Sequence, residues 1–182
     1  MRDISVFDVI GPNMIGPSSS HTAGALKIAL MASHIVGSKV VKARFTLFGS
    51  FARTYRGHGT DRALIAGVLG YGTEDRRIRD AFQCAEEAGL AYEFRTNTTN
   101  QDVHPNTVEM CLTDENGEEY TILGESIGGG EVILRQLNGI EISLSGSYRT
   151  LLVEMLDKPG TLAYVTKCTS EWNINIAFSN LR

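Results

Sequence analysis

Residues Thr22–Gly49, TAGALKIALMASHIVGSKVVKARFTLFG, carry two hydrophobic periods in succession and thereby decide the fold class. In the first half, Leu26, Ala29, Leu30 and Ser33 return at the three- and four-residue spacing of one helical face, which predicts a helix from about Thr22 to Val36. Gly37 suits its C-terminal stop. From Val40 to Phe48 the branched and aromatic content is that of a strand, closed by Gly49. A helix running straight into a strand predicts an α+β chain.

Working outward, a polar, Gly-rich turn at Tyr55–Thr60 leads into helical spacing from Asp61 to Leu69, with Thr60 or Asp61 as its cap. A further helix is predicted over Glu74–Ala88, where Ile78, Ala81, Phe82 and Ala85 share a face and Gly89 ends it. Strand patterns at Thr107–Thr113 and Glu118–Leu123 flank Asp114-Glu115-Asn116-Gly117, a hairpin signal. Ser126–Gly130 (SIGGG) then breaks the pattern before an extended stretch, Glu131–Leu144. Residues 1–146 read as one α+β domain, with Gly146 and Ser147 as the junction. Residues 148–182 restart with a strand (Leu151–Leu156), a turn (Asp157–Gly160), a helix (Thr161 to about Trp172) and a second strand (Ile174–Phe178). In that helix Leu162, Val165 and Thr169 are expected to face a core. Three elements in about thirty-five residues form an unfinished unit, because so short a chain buries little surface.

The chain has 182 residues and a formal net charge of -4, with its basic residues dispersed. That distribution argues against nucleic acid and acidic membranes as partners. No apolar stretch approaches bilayer length, and Met1-Arg2-Asp3 does not begin a signal peptide, so the expected address is the cytoplasm. Cys84, Cys111 and Cys168 are isolated, with no CxxC pair, and read as small apolar residues rather than metal ligands. A metal cluster, if the chemistry needs one, has to come from another chain.

The strongest chemical signal is Gly16–Ala25, GPSSSHTAGA, where three hydroxyls and an imidazole gather ahead of a helix. Free N–H groups and the positive dipole end favour a carboxylate there, with Ser18, Ser19, Ser20 and Thr22 as further donors. The dipole disfavours protonated His21, which suits a base near neutral pH. The same residues fit a helix cap with surplus serines equally well. The second signal is Tyr55–Asp61, YRGHGTD, where Asp61 could orient His58 or serve the helix dipole, and Arg56 could meet a carboxylate or remain solvated. His104-Pro105-Asn106 and SIGGG are weaker signals, a strand lead-in and a backbone bend, and His34 is assigned no role.

Taken in order, SVFDVIGPNMIGPSSSHTAGALKIA, GSFARTYRGHGTDRALIAGVLG, HPNT and SIGGGEV resemble the beta subunit of bacterial iron–sulfur-dependent L-serine dehydratases over essentially the whole chain. GPSSSHT followed by GHGTDRAL is highly specific in combination. The resemblance implies an allosteric-substrate-binding-type domain followed by a partial ACT domain, with DKPGTLAYVT at the ACT strand-to-helix turn. It implies a lyase that converts L-serine to pyruvate and ammonia together with an alpha subunit, whose cysteines carry the [4Fe–4S] cluster. That cluster would assist departure of the serine hydroxyl while a base takes the α-proton. It also implies His21 and His58 as catalytic residues, with Ser18, Ser19, Ser20, Thr22, Thr60 and Asp61 binding substrate.

Two departures accompany the resemblance. Single-chain relatives have adjacent histidines in the second turn, whereas here His58 is followed by Gly59, which leaves open which histidine acts. The ACT-like unit also stops after its second strand, so association or disorder at the C-terminus is expected. The alternative reading is a regulatory subunit that senses an amino acid without taking part in the chemistry.

Overall fold

The computed structural model describes residues 13–99, 102–179 and 181; the lead-in expected at residues 1–12 lies outside them. A π-helical turn, Ser19–Gly24, runs directly into α1 (Ala25–Val36). The helical region therefore begins three residues before the expected start at Thr22. Next come β1 (Val40–Phe48), α2 (Gly49–Thr54), α3 (Thr60–Val68), a 3-10 turn (Arg76–Asp80), α4 (Ala81–Ala88) and β2 (Ala91–Asn97). The unit closes with β3 (Thr107–Asp114), β4 (Glu119–Gly128), β5 (Glu131–Leu137) and β6 (Ile140–Leu144). The helix expected over Glu74–Ala88 is thus split, with its first part in the tighter 3-10 form.

The six strands form one sheet in the order β2-β1-β3-β4-β5-β6. β1 and β2 run parallel, joined by a crossover holding α2, α3 and α4, and every other pair is antiparallel. The chain is mixed α+β, as its alternation of periods implied. Alternate side chains explain the layering: Ala43, Phe45 and Leu47 on β1 and Val108, Met110 and Leu112 on β3 are fully buried, while Glu109, Cys111 and Thr113 are half-buried on the other face. Phe94 of β2 stacks on its register partner Phe45 at 4.9 Å.

The buried face is covered by α1 and α3. Ala25, Leu26, Ile28, Ala29 and Ala32 of α1 meet the sheet and the buried run Ala63–Val68 of α3. Gly67 permits this approach, because a Cβ there would lie 2.7 Å from Ala29 Cβ and 2.9 Å from the Leu30 nitrogen. Each large apolar side chain so buried contributes about 1.5–3 kcal/mol. At the β3–β4 turn, Asp114 accepts from Asn116 N, Glu118 N and Ser38 Oγ, at 2.9, 2.8 and 2.7 Å, and Gly117 has φ 85°.

The chain forms two compact units, Met1–Tyr148 and Arg149–Arg182. Taken by itself, the second unit contains α5 (Thr161–Glu171), begun by Gly160 with φ 91°. The strands expected at Leu151–Leu156 and Ile174–Phe178 do not form: neither segment belongs to a ladder. A strand is stable only when its N–H and C=O groups are paired and one face is covered. Here Trp172 is 81% and Phe178 84% exposed, and Leu162, expected to face a core, is 43% exposed, so no apolar layer offsets the cost of ordering a sheet.

Candidate active site

The two histidine-bearing turns meet. Ser18 caps the π-helical turn, its hydroxyl accepting from His21 N at 3.1 Å, while its carbonyl accepts from Thr22 N at 2.9 Å and Ala23 N at 3.3 Å. The wider turn accommodates both amides at one carbonyl, an irregularity common at functional sites. It places His21 with both ring nitrogens against hydroxyls: Nδ1 is 3.0 Å from Ser20 Oγ and 3.4 Å from Ser18 Oγ, and Nε2 is 2.9 Å from Ser50 Oγ. A neutral imidazole satisfies this arrangement, since it donates at one nitrogen and accepts at the other. Burial, and secondarily the charge of His58, hold the His21 pKa below its ordinary 6.5.

His58 arrives from the second turn. Its ring centroid lies 4.9 Å from that of His21, and its carbonyl accepts from Thr22 Oγ1 at 2.8 Å. Thr22 is therefore a clasp between the turns, with its hydroxyl engaged and its side chain buried. Gly59, with φ 67°, turns the chain into α3. The expected capping by Thr60 or Asp61 across the helix start is not found. Thr60 is already the first helical residue, and its buried hydroxyl has no hydrogen-bond partner among the described residues. Asp61 accepts from the adjacent Arg62 N, at 2.8 Å, and burial raises its pKa.

Of the residues singled out in the sequence, His21, His58, Ser18, Ser20 and Thr22 are joined by hydrogen bonds or ring contact. Among the described residues Ser19 makes no side-chain hydrogen bond, and neither Thr60 nor Asp61 is hydrogen-bonded to His21. Asp61 instead lines a separate recess of about 350 Å³ with Tyr55, Arg56, Phe82, Tyr92 and Phe94. His34 is exposed in the last turn of α1. Sequence reading missed Ser50 and Phe51. Their helix, α2, is only six residues long, and the one available signal was Gly49, which follows β1 and begins that helix. Ser50 is pinned by its backbone, which donates to the Pro105 carbonyl at 2.6 Å, and the Phe51 ring meets His21 edge-on at 5.4 Å.

Cys84, Cys111 and Cys168 are free and half-buried, on α4, β3 and α5, and no three His, Cys, Asp or Glu side chains among the described residues are grouped to hold a metal ion. These donors do not fit an iron–sulfur cluster, which takes closely set thiolates.

The L-serine dehydratase beta chain of Peptoniphilus asaccharolyticus is 47% identical over 176 residues, covering 96% of this chain and 79% of that protein. The probable L-serine dehydratase beta chain of Bacillus subtilis is also 47% identical over 176 residues, covering 97% and 79%. Residues 5–91 match the family model for the serine dehydratase beta chain. This chain belongs to that family. The matched residues of this serine dehydratase beta chain include His21, Ser50, His58, Thr60 and Asp61, while the 104–106 loop and Ser126 lie beyond them. Against L-serine dehydratase 1 of Escherichia coli the identity is 38% over 153 residues, 71% of this chain but 33% of that protein, so the serine dehydratase beta chain corresponds to one part of a longer polypeptide there.

Proposed function

We propose that this chain supplies the proton-transfer half of an L-serine dehydratase, working with a larger alpha chain that carries a [4Fe–4S] cluster. The observation that carries this reading is His21, a neutral imidazole held at both nitrogens by hydroxyls and flanked by His58. His21 takes the α-proton of L-serine, the hydroxyl departs as hydroxide and takes a proton from solvent to become water, and the aminoacrylate formed tautomerises and is hydrolysed to pyruvate and ammonia, His21 returning its proton to solvent. His58 limits protonation of its neighbour, while Ser18, Ser20 and Ser50 hold the ring at the angle the proton requires. Ser19 and Thr60 complete the substrate side, while Thr22 clasps the two turns and Asp61 lines the neighbouring recess. No group of this chain is assigned to the departing hydroxyl, because the scattered cysteines do not fit a cluster.

The first unit is assigned as an allosteric-substrate-binding-type domain and the second as part of an ACT domain, with the complex acting in the cytoplasm; no described helix is long and apolar enough to cross a membrane. A regulatory reading draws on the recess, where Arg56 and Asp61 offer opposite charges beside four aromatic rings, a setting for an amino acid. Anaerobic pyruvate formation is to be compared for this chain alone, the alpha chain alone, and both after cluster reconstitution. Activity in the mixture alone is the expected result; full activity of the alpha chain by itself would leave the regulatory reading in its place.

A further inference from the structure

Four buried side-chain polar atoms among the described residues have no hydrogen-bond partner: His58 Nδ1, Thr60 Oγ1, Asn106 Oδ1 and Ser126 Oγ. Such groups each cost on the order of 1–3 kcal/mol, and in native structures each calls for an explanation. Two of them, Asn106 and Ser126, come from segments with no part in the histidine turns, yet backbone hydrogen bonds tie both to that place. The Pro105 carbonyl accepts from Ser50 N, whose hydroxyl meets His21, and the next carbonyl, that of Asn106, accepts from Ser126 N at 3.0 Å. Ser126, fully buried, lies directly beneath Gly24 of the π-helical turn, so close that a Cβ at Gly24 would collide with its hydroxyl. Asn106 is thereby bracketed between Ser50 on one side and the floor of the His21 turn on the other.

An amide oxygen only accepts, and the hydroxyl of Ser126, whose backbone is bonded to that of Asn106, can accept as well as donate. The Asn106 oxygen, buried without a partner, calls for a donor, and an ammonium group brings three. We propose that Asn106, with Ser126, forms the subsite for the α-ammonium group of the amino-acid substrate, beside the imidazole that takes the α-proton. The assignment rests on the dehydratase reading and adds the group that distinguishes an amino acid from other carboxylic acids. It is a binding role: the acceptors fix the Cα–N bond, and so direct the Cα–H bond toward His21.

The test compares two ligands that differ by the amine, L-alanine and propionate, by calorimetry on the reconstituted complex with Asn106→Leu, Asn106→Asp and Ser126→Ala. Asn106→Leu is expected to weaken L-alanine roughly tenfold, the effect of losing a hydrogen bond to a charged group, and to change propionate by less than about twofold on the same basis. Asn106→Asp, which keeps the acceptor, retains L-alanine, and Ser126→Ala shows a smaller selective loss. Equal weakening of both ligands, unchanged L-alanine binding, or a wild-type complex that does not prefer L-alanine to propionate overturns the assignment. Because binding is read without turnover, the outcome stands apart from the base role, which His21→Ala tests separately through pyruvate formation.

Discussion

The imidazoles of His21 and His58 lie 4.9 Å apart between ring centroids and are tilted by 35°. Two cations at that spacing repel, so a charge on His58 disfavours the protonated form of His21. Burial and the charge of His58 act in the same direction on His21, and both favour the neutral form that a base needs.

Replacing His21 by alanine removes the proposed base. Turnover of the reconstituted complex is expected to fall by about 100-fold or more, the usual contribution of a positioned acid or base, with a much smaller change in the KM for L-serine. Steady-state pyruvate formation checks this, and equal turnover in wild type and variant would exclude the role.

The pH profile follows from the His21 shift. Its folded-state pKa lies below 6.5, so kcat should hold as pH falls through 6.5 and decline only at lower pH. His58→Gln removes the neighbouring charge, so the acid limb moves toward higher pH, read from kcat between pH 5 and 8 as an order-of-magnitude window for histidine.

The same shift has a consequence for stability. Between the lowered folded value and 6.5 the unfolded chain binds more protons at this position than the folded one. The contribution of His21 is therefore fully present above 6.5 and lost as pH falls through the folded value. Urea midpoints taken above and below this window should fall on acidification, and His21→Asn should show a shallower fall.

Ser50 holds the far side of the His21 ring, at 2.9 Å from Nε2. Ser50→Ala keeps the backbone bond to Pro105 but leaves that nitrogen without its hydroxyl. The expected effect is a loss of about 1 kcal/mol in transition-state stabilisation, or roughly five- to tenfold in kcat; Ser50→Thr should restore most of it.

At the packed face, Gly67→Val forces a branched side chain against Ala29 and the α1 backbone. Destabilisation of about 1–3 kcal/mol or more is expected from overpacking, seen as a lower urea midpoint with an unchanged slope.

Much of this was legible in the amino acids. Periodicity located α1, β1 and the β3–β4 hairpin, and the two turns carrying His21 and His58 stood out because glycine, hydroxyl and imidazole residues gather there. β2 escaped notice because an edge strand, with Tyr92 36% exposed, alternates weakly. The strands expected around α5 failed for the opposite reason: branched residues favour an extended backbone, but a ladder is a property of two segments, and neither found a partner.

By itself, then, the sequence determined the fold class, the first helix and strand, the family, and the two histidine-bearing turns, because these depend on residue type and local spacing. Only the tertiary structure decided that the two turns meet, that Ser50 completes the His21 environment, and that Asn106 and Ser126 reach the same place with unpaired oxygens. Those relationships join residues 29 and 36 positions apart, as in His21–Ser50 and Thr22–His58, through a sheet that brings β1, β3 and β4 side by side. No local pattern encodes such a meeting; it follows from which faces the chain buries together.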